Sequence, residues 1–342
     1  MKRLIFILAL FFPFTAGAAD LDIQEYLFGH IGDSYEWHIT TVKGWPVCVY
    51  LPVILHSGTS GWHCFSSRHI AEGEEYEGFR IAGKGEEHEG KLVEVLPDGS
   101  VAKPFDISIT KNVFALIFNS LLVVLIILAA ARWYRKHDAV EEAPGGFTGL
   151  VEMMVTMVEN DIIKDCVGKD YKRYSPYLLT AFFFIFINNL MGIIPFFPGG
   201  ANVTGNIAVT LVLALCTFFA VNLFGNRHYW KDILWPEVPT WLKVPLPLMP
   251  LIEIIGIFTK PFSLMVRLFA NILAGHCMIL GVVAVVFLTA EMGAAMNAGL
   301  SAVAVFLGVF MDCLELLVAF LQAYVFTMLS SVFIGLSRQE AE

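Results

Sequence analysis

Charged residues are scarce in this sequence. Only 15% of its 342 residues are Asp, Glu, Lys or Arg, whereas 57% are hydrophobic, and the mean hydropathy is +0.68. Soluble domains carry about 25% charged residues, so the composition excludes that class and predicts an integral membrane protein. The phosphate-binding pattern GxxxxGK[ST] is absent as well. We therefore expect neither ATP chemistry nor a cofactor in this chain.

The few charges are unevenly distributed. Residues 20–110 contain 15 acidic and 6 basic residues, a net charge of −9 that equals the formal charge of the whole chain. The remainder of the chain is therefore about neutral. The acidity belongs to one segment and gives no indication of a nucleic-acid partner.

Residues 1–19 have the pattern of a signal peptide. Lys2 and Arg3 precede an apolar core, and small residues follow around Ala18, as in secretory signals. Cleavage near Ala18 would leave residues 20–110 outside the cytoplasm. An uncleaved N-terminal membrane anchor is the alternative.

Residues 20–110 predict a small β-rich exported region. β-Branched and aromatic residues alternate there with Gly, Pro and Asp turn signals. Cys48 and Cys64 are two thiols that either pair in an oxidising compartment or stay free. Six of the nine histidines lie here, but no ligand spacing such as HxxxH occurs. Surface histidines are therefore favoured over a metal site.

The rest of the chain, residues 111–342, predicts an all-α membrane domain. Five apolar stretches are long enough, at about 20 residues or more, to cross a bilayer: 113–131, 175–197, 203–224, 251–290 and 298–336. The last two are long enough to predict strongly tilted helices. Acidic residues and a lysine interrupt the apolar pattern of 146–168, which predicts a helix along the membrane surface.

Basic residues indicate the orientation of these helices. RWYRKH follows the first stretch and NRHYWK follows the third, and Lys and Arg beside a span favour the cytoplasmic side. The first helix therefore runs from outside to inside. With five spans, the C-terminus is cytoplasmic. The predicted fold is a polytopic membrane protein with five transmembrane helices, one surface helix and a β-rich exported region.

A charged residue interrupts the fourth long stretch near its centre. Arg267 would cost about 2.5 to 3.5 kcal/mol at the bilayer centre, so it requires a carboxylate or water. Asn271 lies four residues later on the same helix face, and His276 lies close to the opposite face. Glu253 shares the face of Arg267 but lies about 21 Å away along the helix axis.

The last stretch carries Asp312, Glu315 and Gln322. If Gln322 is level with Arg267 in an antiparallel pair, Glu315 and His276 lie about 10 and 13 Å towards the outside. Titratable groups near the two surfaces would then be separated by an arginine that keeps its proton. This pattern predicts two offset half-paths for protons, with a carboxylate supplied by another subunit. Ionic pairs that only hold helices together are the alternative.

Three motifs carry a family resemblance. PFSLMVRLFANILAGH, LQAYVFTMLSSVFIG and NNLMGIIP resemble the signatures of subunit a of F-type ATP synthases, the membrane stator subunit. The resemblance covers about residues 110–337. It implies that Arg267 faces a ring of c subunits and that Asn271 and Gln322 support it. The implied setting is the bacterial inner membrane, with b subunits and the remainder of the synthase as partners.

The resemblance also implies roles for the outer and inner groups. Glu253 matches the carboxylate of the cytoplasmic half-channel, and His276 and Glu315 match the outer pair. Many bacterial members resemble the reverse order, Glu then His, whereas the mitochondrial form resembles this one. Lys260 and Asn189 match further family positions. The signal peptide and the long acidic region depart from the shorter common form.

Two other function classes make different predictions. A secondary transporter would have internal repeats and discontinuous helices, and the sequence contains no evident repeat. A purely structural membrane subunit would tolerate replacement of Arg267. Protons and sodium ions are not distinguished by these residues, because the ion site would lie mostly on the ring.

Overall fold

The computed structural model describes residues 32–42, 45–83, 85–86, 88–96, 100–138, 142–194, 197–234, 248–288 and 294–339. The predicted signal peptide lies outside the described residues. The chain divides into two compact units. The larger contains residues 33–274 and the chain from 315 onward, and the smaller contains residues 275–314.

In its described residues, the N-terminal domain (residues 33–110) contains a 3-10 helix, Ser67–Gly73, and eight short strands. They are β1 Glu36–Val42, β2 Trp45–Tyr50, β3 Pro52–Ser57, β4 Gly61–Ser66, β5 Phe79–Ile81, β6 Leu92–Val95, β7 Val101–Ala102 and β8 Phe105–Asp106. β1 pairs with β2, β3 lies between β4 and β8, and β6 lies between β5 and β7, all antiparallel. Strands are present where the β-branched and aromatic residues predict them. Export of the domain stays a prediction.

Alternation along β3 builds the core of this domain. Val53 and Leu55 are fully buried and pack with Phe79 and other apolar residues, as the two-residue period of a strand requires. Tyr35 donates a hydrogen bond of 2.5 Å from its hydroxyl to Asp106 Oδ2. Burial and this carboxylate together raise the pKa of Tyr35, so the phenol stays protonated and links the first strand region to β8.

The cysteines and histidines of the domain are not gathered into one site. Cys48 on β2 and Cys64 on β4 are free thiols in different sheets. His63 Nδ1 lies 2.7 Å from Glu77 Oε2 and its Nε2 lies 2.7 Å from Ser60 Oγ. Among the described residues there is no cluster of three or more His, Cys, Asp or Glu side chains suited to a metal ion.

In the described residues after position 110, seven α-helices of eight or more residues follow. They are α1 Lys111–Tyr134, α2 Gly146–Thr156, α3 Tyr171–Ile193, α4 Ile207–Leu223, α5 Arg227–Leu234, α6 Leu248–Leu288 and α7 Ala294–Arg338. In the described chain, four helical stretches are long and apolar enough to cross a membrane, namely Lys111–Tyr134, Gly146–Ile193, Met249–Val286 and Met296–Arg338. α4 and α5, bent by 98°, would make a fifth. The chain is a multi-pass membrane protein, and the count of five spans stays a prediction.

The stretch predicted to lie on the membrane surface is helical. α2 continues through a π-helical segment, Met157–Lys164, and a short turn, Asp165–Val167, and Gly168 follows with φ 73°. A Cβ at Gly335 of α7 would lie 2.0 Å from Cys166 O, so α7 packs directly against this backbone. The location of the segment at the membrane surface stays a prediction.

The two long helices are confirmed. α6 has 41 residues and α7 has 45, and Pro261 lies inside α6 without ending it. Their tilt in a bilayer stays a prediction.

Hydrogen bonds determine how α3 lies beside α7. Asn189 Nδ2 donates to Ala319 O at 3.2 Å near one end, and Arg338 Nε donates to Asp170 Oδ2 at 2.9 Å beyond the other. Both pairs have the same residue-number sum, so α3 and α7 run antiparallel at equal rise. The part of α7 from Ala319 to Arg338 therefore lies beside α3.

Candidate proton site in the long helices

The predicted site residues occupy two helices. α6 carries Glu253, Arg267, Asn271 and His276, and α7 carries Asp312, Glu315 and Gln322. Both helices are continuous through these residues, so the helical spacings used above apply. His276 and Asp312 belong to the smaller unit and the other five to the larger unit. The pairing of His276 with Glu315, and the place of Asp312 beside them, stay predictions.

Arg267 lies on the exposed face of α6. Leu264 and Leu268 are 2% and 1% exposed, and Ile272 is 3% exposed. Arg267 and Asn271 are both exposed, as expected for residues four apart on one face. The apolar side of this part of α6 therefore packs into the protein, and the arginine points away from it.

Small side chains surround Arg267 on that exposed face. Ser263, Ala270 and Ala274 are exposed and lie within about 60° of the arginine around the helix axis. Small residues on a membrane helix allow another helix to approach closely. None of the residues that the structure describes forms an ion pair with Arg267.

A cation–π contact indicates the depth of Gln322 relative to Arg267. Lys260 Nζ lies 5.8 Å from the ring centroid of Phe333, so these two residues have similar depth. A connection of only five residues joins α6 to α7, which makes neighbouring helices antiparallel. Gln322, eleven residues before Phe333, is then level with Asn271, one turn from Arg267. Gln322 is 9% exposed.

Glu315 lies on the buried face of α7. Its exposed fraction is 6%, and it lies about 10 Å from Gln322 along the axis, towards the N-terminal end of the helix. Ala319 lies one turn after Glu315 in the chain, and its carbonyl accepts the hydrogen bond from Asn189 Nδ2. The carboxyl group thus lies in the part of α7 that packs against the polar end of α3.

A buried polar network surrounds that end of α3. Thr204 Oγ1 donates to Asn189 Oδ1 at 2.6 Å, and Asn119 Nδ2 donates to Asn188 Oδ1 at 3.0 Å. All four side chains are at most 2% exposed. The sequence drew attention to Asn189 but not to Asn119 or Thr204. Asn119 interrupts an apolar stretch and was recognisable for that reason, whereas Thr204 has no such signal.

Glu253 lies apart from the other carboxylates. It is half-buried near the start of α6, fourteen residues before Arg267. The continuous helix separates the two residues by about 21 Å along its axis. α6 therefore carries one acid at one end, the cation near its middle and His276 beyond it.

Comparison with known proteins connects this arrangement to a family. A family model described as ATP synthase A chain matches residues 115–335. A second model, described as a domain of unknown function (DUF8433), matches residues 26–110. The first match covers all the site residues of α6 and α7, and the second covers the whole N-terminal domain (residues 33–110).

Several similar proteins are described as ATP synthase subunit a. ATP synthase subunit a 2 of Chlorobaculum tepidum is 40% identical over 282 residues, covering 76% of each chain. ATP synthase subunit a of Chlorobium phaeobacteroides (strain DSM 266) is 37% identical over 282 residues, covering 76% of this chain and 79% of the relative. The Anaeromyxobacter dehalogenans subunit is 38% identical over 279 residues, covering 78% and 68%. The chain belongs to the ATP synthase A chain family, the proton-translocating membrane subunit a of F-type ATP synthases.

Proposed function

We propose that this chain forms two offset half-channels for protons against a ring of c subunits and couples proton flow to rotation of that ring. The observation that carries the proposal is the position of Arg267. A permanent cation lies on an open helix face that a bilayer or another subunit must cover. Leaving it in lipid would cost at least about 2.5 kcal/mol.

A carboxylate from another chain is the partner that suits Arg267. The small residues beside it allow a ring helix to approach, and arginine keeps its charge in a weakly polar setting where lysine can lose it. Arg267 attracts a deprotonated ring carboxylate and cannot relay a proton itself. It therefore separates the two half-channels and prevents direct leakage. Asn271 and Gln322 hold the guanidinium in place by hydrogen bonding.

The outer half-channel leads past Glu315, His276 and Asp312. Carboxyl and imidazole groups relay protons near neutral pH. Glu315 is 6% exposed and lies one turn before Ala319, whose carbonyl accepts a hydrogen bond from Asn189 Nδ2, and a buried titratable carboxyl in a membrane helix is a typical proton relay group. A proton from outside then reaches a ring carboxylate, and the neutral carboxyl rotates into lipid.

The inner half-channel ends at Glu253. After nearly a full turn of the ring, the carboxyl releases its proton towards the cytoplasm near this residue. Each proton moves through a potential worth about 2.3 kcal/mol per 100 mV, which drives rotation. Lys260, about two turns from Arg267, lies on the same inner side.

The same proposal places the chain in its surroundings. Residues 1–19 direct export, residues 20–110 lie in the periplasm, and residues 111–342 lie in the bacterial inner membrane with a cytoplasmic C-terminus. The ring of c subunits, the b subunits of the peripheral stalk and the lipid bilayer are its partners.

The decisive experiment uses membrane vesicles that carry the assembled complex with Arg267→Ala. ATP-driven proton pumping is recorded first. Passive proton flow under an imposed potential follows, after the ATP-hydrolysing head has been stripped off. We expect pumping to be lost while passive flow is retained or raised, because the barrier between the half-channels is gone. Ser263→Ala, one turn away on the same face, is the matched control and should pump normally.

Normal pumping by the Arg267→Ala complex would contradict the half-channel mechanism and leave Arg267 as a structural residue. Proton transport by the purified chain without a ring would favour a secondary transporter instead.

A further inference from the structure

The N-terminal domain contacts the membrane helices at two places. At the first, Asp33 Oδ2 accepts a hydrogen bond of 2.8 Å from Thr110 Oγ1, and its Oδ1 accepts one of 3.0 Å from the Asn112 N–H. A carboxylate at the start of a helix stabilises its free N–H groups. This contact attaches the domain to the first turn of α1, where the chain itself connects them.

The second contact is remote in sequence. Trp37 of β1 is 5% exposed and packs edge-on against Phe114 of α1 and Phe197, with ring centroids 5.8 and 5.3 Å apart. It shares a buried cluster with Ala201 and Val203. Phe197 and these two residues belong to the α3–α4 loop (residues 197–206). The N-terminal domain is joined to α1 in the chain, but it also packs against the α3–α4 loop, which lies much later in the sequence.

This loop is internally bonded and leads directly to the polar network. The Gly205 N–H donates to Asn202 Oδ1 at 2.8 Å, and Val203 is fully buried. The next residue, Thr204, donates to Asn189 Oδ1, and Asn189 in turn donates to the carbonyl of Ala319. Ala319 is one turn from Glu315. The Thr204–Asn189 and Asn189–Ala319 hydrogen bonds join buried groups. A buried polar group that loses its partner is costly.

We infer that Trp37 is a positioning residue for proton uptake, through which the N-terminal domain holds the α3–α4 loop and, through Thr204, the Asn189 amide that bonds Ala319, one turn from Glu315. The inference rests on the proposed function, because it assigns Glu315 to the outer half-channel. Loss of the indole leaves a cavity next to Val203. The α3–α4 loop then no longer holds the Thr204 hydroxyl in position to donate to Asn189. Protonation from the side of the membrane where the domain lies should then become slower, with the opposite half-channel unaffected.

The test compares Trp37→Ala with Trp37→Phe and Trp62→Ala in vesicles with the head stripped off. Trp62, on β4 of the same domain, is 62% exposed and does not belong to the Trp37 cluster, so it is the matched control. Passive proton flow is measured while the pH is varied on each side of the membrane separately. Protease accessibility of residues 33–110 identifies the side on which the domain lies.

We expect Trp37→Ala to lower flow by about threefold to tenfold, as found for residues that act through packed neighbours. The dependence on pH should shift only on the side of the domain. Trp37→Phe should restore most of the flow, since it keeps an aromatic ring against Phe197, and Trp62→Ala should match the wild type. Wild-type flow from Trp37→Ala at every pH on that side would overturn the inference.

A second variant decides the matter if the Trp37→Ala complex does not assemble. Thr204→Val keeps the shape of the side chain, leaves the domain untouched and removes the donor to Asn189. It should give the same one-sided pH shift, and an unchanged pH profile would overturn the inference. Arg267→Ala separates the two proposals when its pumping is recorded with the head in place and its passive flow after the head is stripped off. If it pumps normally the half-channel mechanism fails, whereas if it behaves as proposed and Trp37→Ala and Thr204→Val match the wild type, only the role of Trp37 fails.

Discussion

Arg267 and Glu315, the central cation and the buried acid of the proposed path, have opposite surroundings. Arg267 lies on an exposed face of α6 among small residues, whereas Glu315 is 6% exposed on the face of α7 that packs against α3. The burial of Glu315 comes from contacts within this chain. In the proposed function, a subunit of the ring completes the environment of Arg267. One side of the proposed path is then built by the fold of this chain and the other by assembly.

The largest effect on proton pumping should come from replacing Arg267 on the exposed face of α6. Arg267→Lys retains a cation but loses the planar guanidinium, and a lysine in a weakly polar site can release its proton. We expect ATP-driven pumping to fall by at least about tenfold, equivalent to losing about 1.4 kcal/mol of stabilisation. Acidification of inverted vesicles measures it, and the amount of assembled complex should be unchanged. Pumping at the wild-type rate would show that charge alone is sufficient.

A smaller effect is expected at the buried acid. Glu315→Gln keeps the size of the side chain but removes its ability to carry a proton, and positioned proton-transfer groups typically contribute about 100-fold or more. Because His276 and Asp312 remain, we expect passive flow to fall by about tenfold. Asp312→Asn, exposed one turn earlier, is the comparison and should have a weaker effect. An equal or larger loss from Asp312→Asn would remove the distinction between the buried and exposed acids.

The smallest effect in this series is expected on the stability of the complex, from a change in the polar network behind Glu315. Asn189→Leu removes one donor and one acceptor and leaves Ala319 O and Thr204 Oγ1 without these partners. Each buried group left without its hydrogen-bond partner lowers the free energy of unfolding by about 1 to 3 kcal/mol. Thermal unfolding of the purified complex should therefore begin at a lower temperature. Asn160→Leu, on an exposed part of the helical segment after α2, is the control. Equal unfolding temperatures for Asn189→Leu and the wild type would mean that the network adds no stability.

Much of the architecture was predictable from composition and periodicity. The long apolar stretches predicted α6 and α7, since a continuous apolar run in a bilayer must satisfy its own backbone hydrogen bonds and does so as a helix. The helix boundaries differ by a few residues from the predicted ones, because caps and connections depend on neighbouring segments. α3 illustrates this, since it runs from Tyr171 to Ile193, whereas the apolar stretch runs from 175 to 197.

The residues of the candidate site stand out in the sequence, and their roles in proton transport stay predictions. Arg267, Glu315 and Gln322 stand out because charged and amide side chains are costly in lipid and therefore rare there. Thr204 and Trp37 did not stand out, because a threonine in a loop and a tryptophan in a strand are ordinary in sequence. Their importance arises from the segments that meet them in space.

Composition and motif spacing were sufficient to establish a membrane protein, its family and the order of polar groups along each long helix, since hydrophobicity and helical rise are local properties. Tertiary structure alone decided that Arg267 lies on an open face, that Glu315 is buried beside α3, and that Trp37 reaches the α3–α4 loop. These features depend on contacts between residues far apart in the chain, and no local pattern in the sequence specifies which segments pack together.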